Sequence, residues 1–347
     1  MNVGIAGAGL LGRLLAWRLA RDGHQIAVFE RTAGPAPRFD GHGAAAFSAA
    51  GMLSPTAELD NSGPEVAALG WRSIAAWRDV AAHLGAHWFS QRGSLLVAHR
   101  SDLGAAQRVL ARLAQARHMP PEPLSPTRLA ELEPALRGAA RAWLLPGEAQ
   151  IDPPAAMAAL HAGAHGVTWH WESPVALVEA GELRLMDGST RRFDTVFDVR
   201  GTGAQPQVAV RGVRGETVLL RANGHGLTRP VRLLHPRHRV YLVPRDRDSV
   251  FVGASEIESE DRSEVSLRSA LELMAAAHSV LPALAEARIV RLDRNLRPAL
   301  PDNAPRADVA PGLIRINGLF RHGWLIAPAL VDDALHAAAL APQDALA

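Results

Sequence analysis

Gly7, Gly9 and Gly12 stand at the spacing G-x-G-x-x-G, between a short apolar run and an amphipathic one. Those residue types at that spacing make a dinucleotide cradle. The first glycine permits a tight turn, the second lets backbone approach a pyrophosphate, and the third lets a helix lie close on its strand. The N–H groups and positive dipole end of that helix, at Leu10 and Leu11, then face the phosphates. Glu30 ends the next apolar run, beside Arg31. A carboxylate there accepts hydrogen bonds from both ribose hydroxyls and repels a 2′-phosphate, which argues against NADP. The spacing alone does not separate FAD from NAD.

Other groups invite chemistry less strongly. His161, His165 and His170 span an expected helix end, loop and strand, with no cysteine and no H-E-x-x-H pattern, so no metal site is expected. His235 and His238 lie near Tyr241 in sequence and read as surface or supporting groups. Trp169 and Trp171 alternate as one face of a strand, and Asp332-Asp333 reads as a solvated helix face.

Composition removes whole reaction classes. The chain has 347 residues, 37 of them arginine, with no lysine, no cysteine and one tyrosine, Tyr241. Lysine Schiff bases, a Walker-A loop and a lysine base are excluded, as are disulfides, thiolate metal sites and a cysteinyl-linked cofactor. The pI of about 10.1 accompanies a formal net charge of only +2. With few groups titrating between histidine and arginine, a small positive surplus survives to high pH. No window gathers a run of arginines, so nucleic acid is not an expected partner. No apolar run reaches the roughly 18 residues of a membrane span, and Arg13 interrupts the apolar start before a signal peptide could form. A soluble, cytoplasmic protein is expected.

The elements that must position these groups follow from periodicity. A strand at Val3–Ala6, a helix at Leu10–Ala20 closed by Gly23 and a strand at Gln25–Glu30 make one βαβ unit. Residues 34–57 are small and loop-like. Helices are expected at Pro64–Leu84, 101–117, 126–135, Asp152–Ala162, Leu267–Val280 and Trp324–Ala339. Strands are expected at Gly93–Ala98, 167–171, 175–179, 182–187, 192–199, 213–221, 230–235, 238–244, 249–254, 287–294 and Ile314–Asn317. The fold class is α/β with an α+β second domain. A Rossmann-like dinucleotide domain over 1–85, 150–209 and 291–347 is interleaved with a mainly antiparallel β-sheet substrate domain over 86–149 and 210–290.

Four further segments decide the cofactor by resemblance. They are SAAGMLSPTAELD (48–60), GEAQIDPPAAMAAL (147–160), VRGVRGETVLL (210–220) with RVYLVPR (239–245) and SVFVGASEIE (249–258), and NLRPALPDNAP (295–305) with GLFRHGWLIAP (318–328). In order and spacing they resemble the D-amino-acid oxidase family of FAD-dependent oxidoreductases, most of all its glycine oxidase branch, which acts in thiamine biosynthesis. The resemblance implies non-covalent FAD. Ser48, Ala49, Ala50, Gly51 and Met52 would pass the flavin ring, their small side chains letting backbone lie against it. Val175 would meet the adenine through its backbone, and Gly201 would border the cofactor in a turn that lacks the aromatic residue of many relatives. His322, Gly323, Trp324, Leu325 and Ile326 would open a helix whose dipole faces the flavin C2 carbonyl.

For the substrate, the resemblance implies that Arg297 clamps a carboxylate and that the Tyr241 hydroxyl contacts it. Arg321 would touch substrate or flavin, and Met52 would line the pocket. The implied activity is oxidation of glycine or a small amine to the imine, by hydride transfer to flavin N5 and reoxidation by molecular oxygen to hydrogen peroxide. A D-amino-acid or sarcosine-type dehydrogenase passing electrons to a quinone or partner, and a flavoprotein that modifies another protein, stand as alternatives. Homo-oligomerisation is left open.

Overall fold

The computed structural model describes residues 1–340 apart from 115, 117–118, 137–138 and 236–238, so His238 lies outside the described residues. Two large sheets organise it. The nucleotide sheet has the strand order Arg306–Ala310, Leu313–Asn317, Thr195–Asp198, Asn2–Ala6, Gln25–Phe29, Thr168–His170. Its pairs are parallel except the outermost, Arg306–Ala310 against Leu313–Asn317. The parallel strands follow the order of a Rossmann half, with the Gly7–Gly12 turn at the carboxyl end of the central strand.

The second sheet has eight strands. In order they are Arg288–Ala299, Arg211–Arg221, Ser249–Gly253, Arg239–Pro244, Val231–Leu234, Ser94–Ala98, Arg141–Leu145 and Glu122–Leu124. All neighbours are antiparallel except Val231–Leu234 with Ser94–Ala98. Alternation divides this sheet cleanly. Val218, Leu220, Leu242 and Val252 point to one face and pack on the helix Leu267–Val280 through Leu273 and Ala277. The opposite face carries the polar groups of the site.

The helices Leu10–Arg21, Pro64–Leu84 and Leu267–Val280 lie where expected, and Gly23 follows the first with a φ of +80°. Other expectations shift. The helices of 101–117 and 126–135 shorten to Leu103–Leu113 and Pro126–Leu132. The strand of 192–199 divides into Thr190–Arg192 and Thr195–Asp198, which belong to different sheets. The strand of 287–294 runs on to Ala299, so the boundary placed at 291 falls inside one strand of the large sheet, and Arg297 sits on that strand. Arg306–Ala310 gave no strand signal because it is an exposed edge with almost no buried residue. Arg141–Leu145 is too short to show a period.

His161 leans on Trp169 and Trp171, with ring centroids 4.5 and 5.7 Å away, and His170 stacks on Phe29 at 4.5 Å. Among the described residues no acidic and histidine cluster could hold a metal, and no helix is long and apolar enough to cross a membrane. The Asp332–Asp333 pair is tied down rather than merely solvated: Asp332 meets Arg18 at 3.0 Å and Asp333 accepts from Arg72.

Candidate active site

A cavity of about 1310 Å³ runs between the glycine turn and the polar face of the large sheet. Gly7, with a φ of +106°, abuts Val199 O, which a Cβ would approach to 2.9 Å. A Cβ on Gly12 would overlap Gly7 O, so Gly12 serves helix packing and does not line the cavity. Gly9 is different. The nearest atom to a Cβ there is Ala44 Cβ at 3.8 Å, so no protein group forbids a side chain. The space that a side chain would fill belongs to the cavity, which suits a diphosphate against the backbone. Leu10 and Leu11 line it beside the turn.

Glu30 is held at the rim. Its carboxylate accepts from Ala8 N–H at 2.8 Å and Thr32 N–H at 3.1 Å, fixing it for hydroxyl donors. Arg31 lines the wall and donates to His42 O at 2.9 Å. Arg13, first read as a charge breaking an apolar run, is buried and structural. It donates to Ala8 O, Met157 O and Pro35 O at 2.8–2.9 Å, tying the glycine turn to the next loop. Burial lowers its pKa to about 10.

The small-residue segment forms one wall. Ser48, Ala49, Ala50, Gly51 and Met52 all line the cavity, and Asn295 Nδ2 reaches Ser48 Oγ at 3.4 Å. Gly51 carries a second constraint. Its φ is +71°, and a Cβ would overlap Ile151 O, so the strand Ala149–Ile151 requires glycine there independently of any ring. The backbone shape is held by Arg245, which donates to Ala49 O at 2.9 Å and Ile151 O at 3.1 Å. Its pKa is lowered by burial to about 10, and sequence reasoning missed it.

Val175 and Gly201 line the far side. Arg200, paired with Asp198 at 2.8 Å, donates to Val175 O at 2.9 Å, and Asn317 Nδ2 donates to Gly201 O at 3.0 Å. The closing helix Gly323–Ala337 follows His322, whose side chain makes no capping bond, and starts at the cavity wall with Gly323, Trp324 and Leu325. Its first turn leaves N–H groups without intrahelical acceptors. Ile326 is off the wall: its N–H is committed to His322 O at 3.0 Å and its side chain is fully buried in the core.

Strand register builds the other end. Leu96, Arg232, Tyr241, Gly253, Thr217 and Asp293 are successive cross-strand partners, hence one row on one face. The Tyr241 ring lies over Gly253, where a Cβ would come within 2.7 Å of it. Arg297 lies in the same way over Gly215. Arg297 donates to Ser255 O at 3.0 Å and Arg214 O at 3.4 Å, and no carboxylate among the described residues pairs with it. Burial lowers its pKa. Burial likewise pushes the Tyr241 phenol up, against the pull of Arg297 and Arg232, so its hydroxyl keeps its proton and can donate. Thr217 Oγ1 is buried at this wall with no partner among the described residues.

Arg321 is engaged already. It donates to Glu58 Oε2 at 2.9 Å and to Glu256 Oε2 at 3.4 Å. Glu58 was not singled out from the sequence, and neither was Glu148 behind it. Glu148 is fully buried, accepts from Ala57 N–H at 3.1 Å and from Ser94, and is pushed by burial to about 7. A carboxyl whose folded pKa is raised contributes stability at low pH that is lost as pH rises through that value. The melting temperature should therefore fall from pH 5 to pH 8, and Glu148→Gln should flatten that fall; an unchanged slope would rule Glu148 out as its source.

The geometry can be set beside known proteins. Residues 2–332 match the family model described as FAD dependent oxidoreductase. The putative thiamine biosynthesis oxidoreductase ThiO of Rhizobium etli is 38% identical over 339 residues, 96% of this chain and 95% of that protein. The glycine oxidase of Geobacillus kaustophilus is 26% identical, over 94% of this chain and 90% of its own. The solved structure of glycine oxidase from that organism superposes with a TM-score of 0.81 at 24% identity, covering 97% of this chain and 94% of that one, which establishes likeness of fold. A cradle of open glycine backbone, a carboxylate at its rim and a polar cavity beyond it are what such a cofactor needs, and the chain belongs to the family of FAD-dependent oxidoreductases.

Proposed function

We propose that the protein is an amino-acid oxidase of the glycine oxidase type, holding FAD non-covalently and oxidising glycine or a small amine to its imine. The observation that carries this reading is Arg297: a half-buried guanidinium on the cavity wall whose hydrogen bonds go to backbone carbonyls alone, beside the hydroxyl of Tyr241. A substrate carboxylate completes that pair, Arg297 by charge and Tyr241 by donation. The names of the relatives, glycine oxidase and a thiamine biosynthesis oxidoreductase, point the same way.

Bound FAD would supply a two-electron acceptor for the α-hydride, with oxygen as its oxidant and hydrogen peroxide as the product. The chain's own residues orient and exclude water. Gly7, Gly9 and Glu30 would hold the dinucleotide end, Ala49 to Met52 and the helix start at Gly323 would flank the ring, and Arg297 with Tyr241 would fix the substrate through its carboxylate. No base on the protein is required when the amine enters neutral, so positioning carries most of the rate. The proposed division is a FAD-binding domain over 1–85, 150–209 and the residues after the strand Arg288–Ala299, with a substrate-binding domain over 86–149 and 210–299.

Tyr241→Phe should cost about 1.5–3 kcal/mol in kcat/KM, the value of one hydrogen bond to a charged group. Retention of full kcat/KM would remove the hydroxyl from the site. Oxidase and dehydrogenase readings separate in stopped flow. Rapid reoxidation of the reduced enzyme by oxygen with peroxide release supports the oxidase, and slow reoxidation by oxygen with rapid reoxidation by a quinone overturns it.

A further inference from the structure

The substrate end of the cavity carries three guanidinium groups, Arg232, Arg297 and Arg321, and two carboxylates, Glu58 and Glu256. The cations converge on Glu58. It ends a single helical turn, Pro55–Glu58, and is 8% exposed. Its Oε2 lies 2.9 Å from Arg321 and 3.4 Å from His322 Nδ1, and its Oε1 lies 3.5 Å from Arg232. Burial pushes the carboxyl up, but His322, Arg232 and Arg321 together hold it below its ordinary value.

The other titratable groups leave this count intact. Burial pulls the His322 ring down and pushes the Tyr241 phenol up, so neither adds charge near neutrality. Asp60, at the cavity mouth, is paired with Arg112. Glu148 sits behind Arg232 and does not line the cavity. Three cations thus face two carboxylates. Arg321 and Arg232 share Glu58, Glu256 touches Arg321 at 3.4 Å, and Arg297 is left with carbonyls alone. Beyond Arg232 the wall is apolar, formed by Leu96, Val109, Leu113 and Leu234.

We propose that Glu58 sets the charge of the substrate: together with Glu256 it offsets Arg232 and Arg321, leaves Arg297 as the cation for one carboxylate, and confines the site to monocarboxylate amines. This rests on the reading of the cavity as an amine-oxidation site and adds a specificity rule to it. A second carboxylate on the amine nitrogen or side chain meets either the apolar wall or Glu58 itself. In a partly desolvated cavity a like charge at close range weakens binding by roughly tenfold or more. Glu58 acts through the two arginines and is a positioning residue.

The test uses the FAD-loaded enzyme and two pairs of probes. Sarcosine and iminodiacetate, which differ by one carboxylate on nitrogen, are compared by kcat/KM, and acetate and malonate by calorimetric Kd. The wild-type enzyme should favour the monocarboxylate in both pairs. Glu58→Gln removes the carboxylate that Arg232 and Arg321 share, leaving Arg321 only Glu256, and should shift both ratios toward the dicarboxylate by roughly tenfold or more, while Glu58→Asp keeps the original preference. Unchanged ratios in Glu58→Gln, or a wild-type enzyme that binds malonate as tightly as acetate, overturn the proposal. If Glu58→Gln does not fold, Arg232→Leu brings cations and carboxylates level and should weaken acetate binding about tenfold; unchanged acetate affinity then overturns it. If no amine reduces the flavin but the acetate and malonate ratio still responds to Glu58→Gln, the charge rule stands and the amine-oxidase reading fails.

Discussion

Arg297→Ala is expected to raise KM for carboxylated amines roughly 30-fold to several thousand-fold, since removing one partner of a desolvated charge pair costs about 2–5 kcal/mol. The reason lies in how few alternatives the cavity offers. Arg321 is taken by Glu58 and Glu256, and Arg232 lies 3.5 Å from Glu58. In the variant a bound carboxylate would face the Tyr241 hydroxyl and the backbone of Gly215, which gives it one neutral donor and no charge. The guanidinium does not touch the glycine turn, so flavin content and spectrum should be preserved. Steady-state kinetics with glycine and sarcosine, alongside the flavin-to-protein ratio, checks both halves. An unaltered KM would remove Arg297 from the substrate site, and loss of flavin would show that it supports the cofactor instead.

Gly12→Ala should abolish flavin retention. The added methyl would overlap Gly7 O, an atom of the turn itself, so neither group can move without the other. The helix Leu10–Arg21 would have to lift from its strand, taking its exposed N–H groups away from the phosphates. Overpacking of this kind costs about 1–3 kcal/mol of stability, but the geometric loss at the cradle falls wholly on cofactor affinity. The purified variant should be colourless, or regain colour only in a large excess of FAD, and melt below the wild type. A yellow variant with full flavin occupancy would contradict the packing account. Gly9→Ala makes an instructive contrast, because no protein atom opposes that methyl: it should fold and melt like the wild type without ligand, yet bind FAD more weakly.

These two residues mark the range of what the sequence reveals. Gly7, Gly9, Gly12 and Glu30 are legible because the turn, the helix start and the next strand are contiguous, so spacing alone dictates their geometry. Arg297 and Tyr241 are not legible in that way. One arginine among 37 has no local signature, and only resemblance singled it out. A physical signal does exist in the glycines beneath them, Gly215 and Gly253, each lying where a large side chain folds over bare backbone. Reading that signal needs the cross-strand register, which depends on strands far apart in the chain. Glu58 was invisible for the same reason: its partners come from two distant segments, Arg232 from the strand Val231–Leu234 and Arg321 with His322 from the turn before the helix Gly323–Ala337. The second reason for Gly51 was hidden, since the strand pressing on it, Ala149–Ile151, is too short to announce itself.

Arg297 and Tyr241 are proposed to hold a small amine against bound flavin. Anaerobic titration of the FAD-loaded protein with glycine, sarcosine and D-alanine tests it most directly, with flavin absorbance as the readout. The account predicts that at least one of them bleaches the flavin fully and that Arg297→Ala needs far more of the same amine for the same loss of colour. Flavin that stays oxidised with all three amines, in wild-type protein shown to carry FAD, would contradict it.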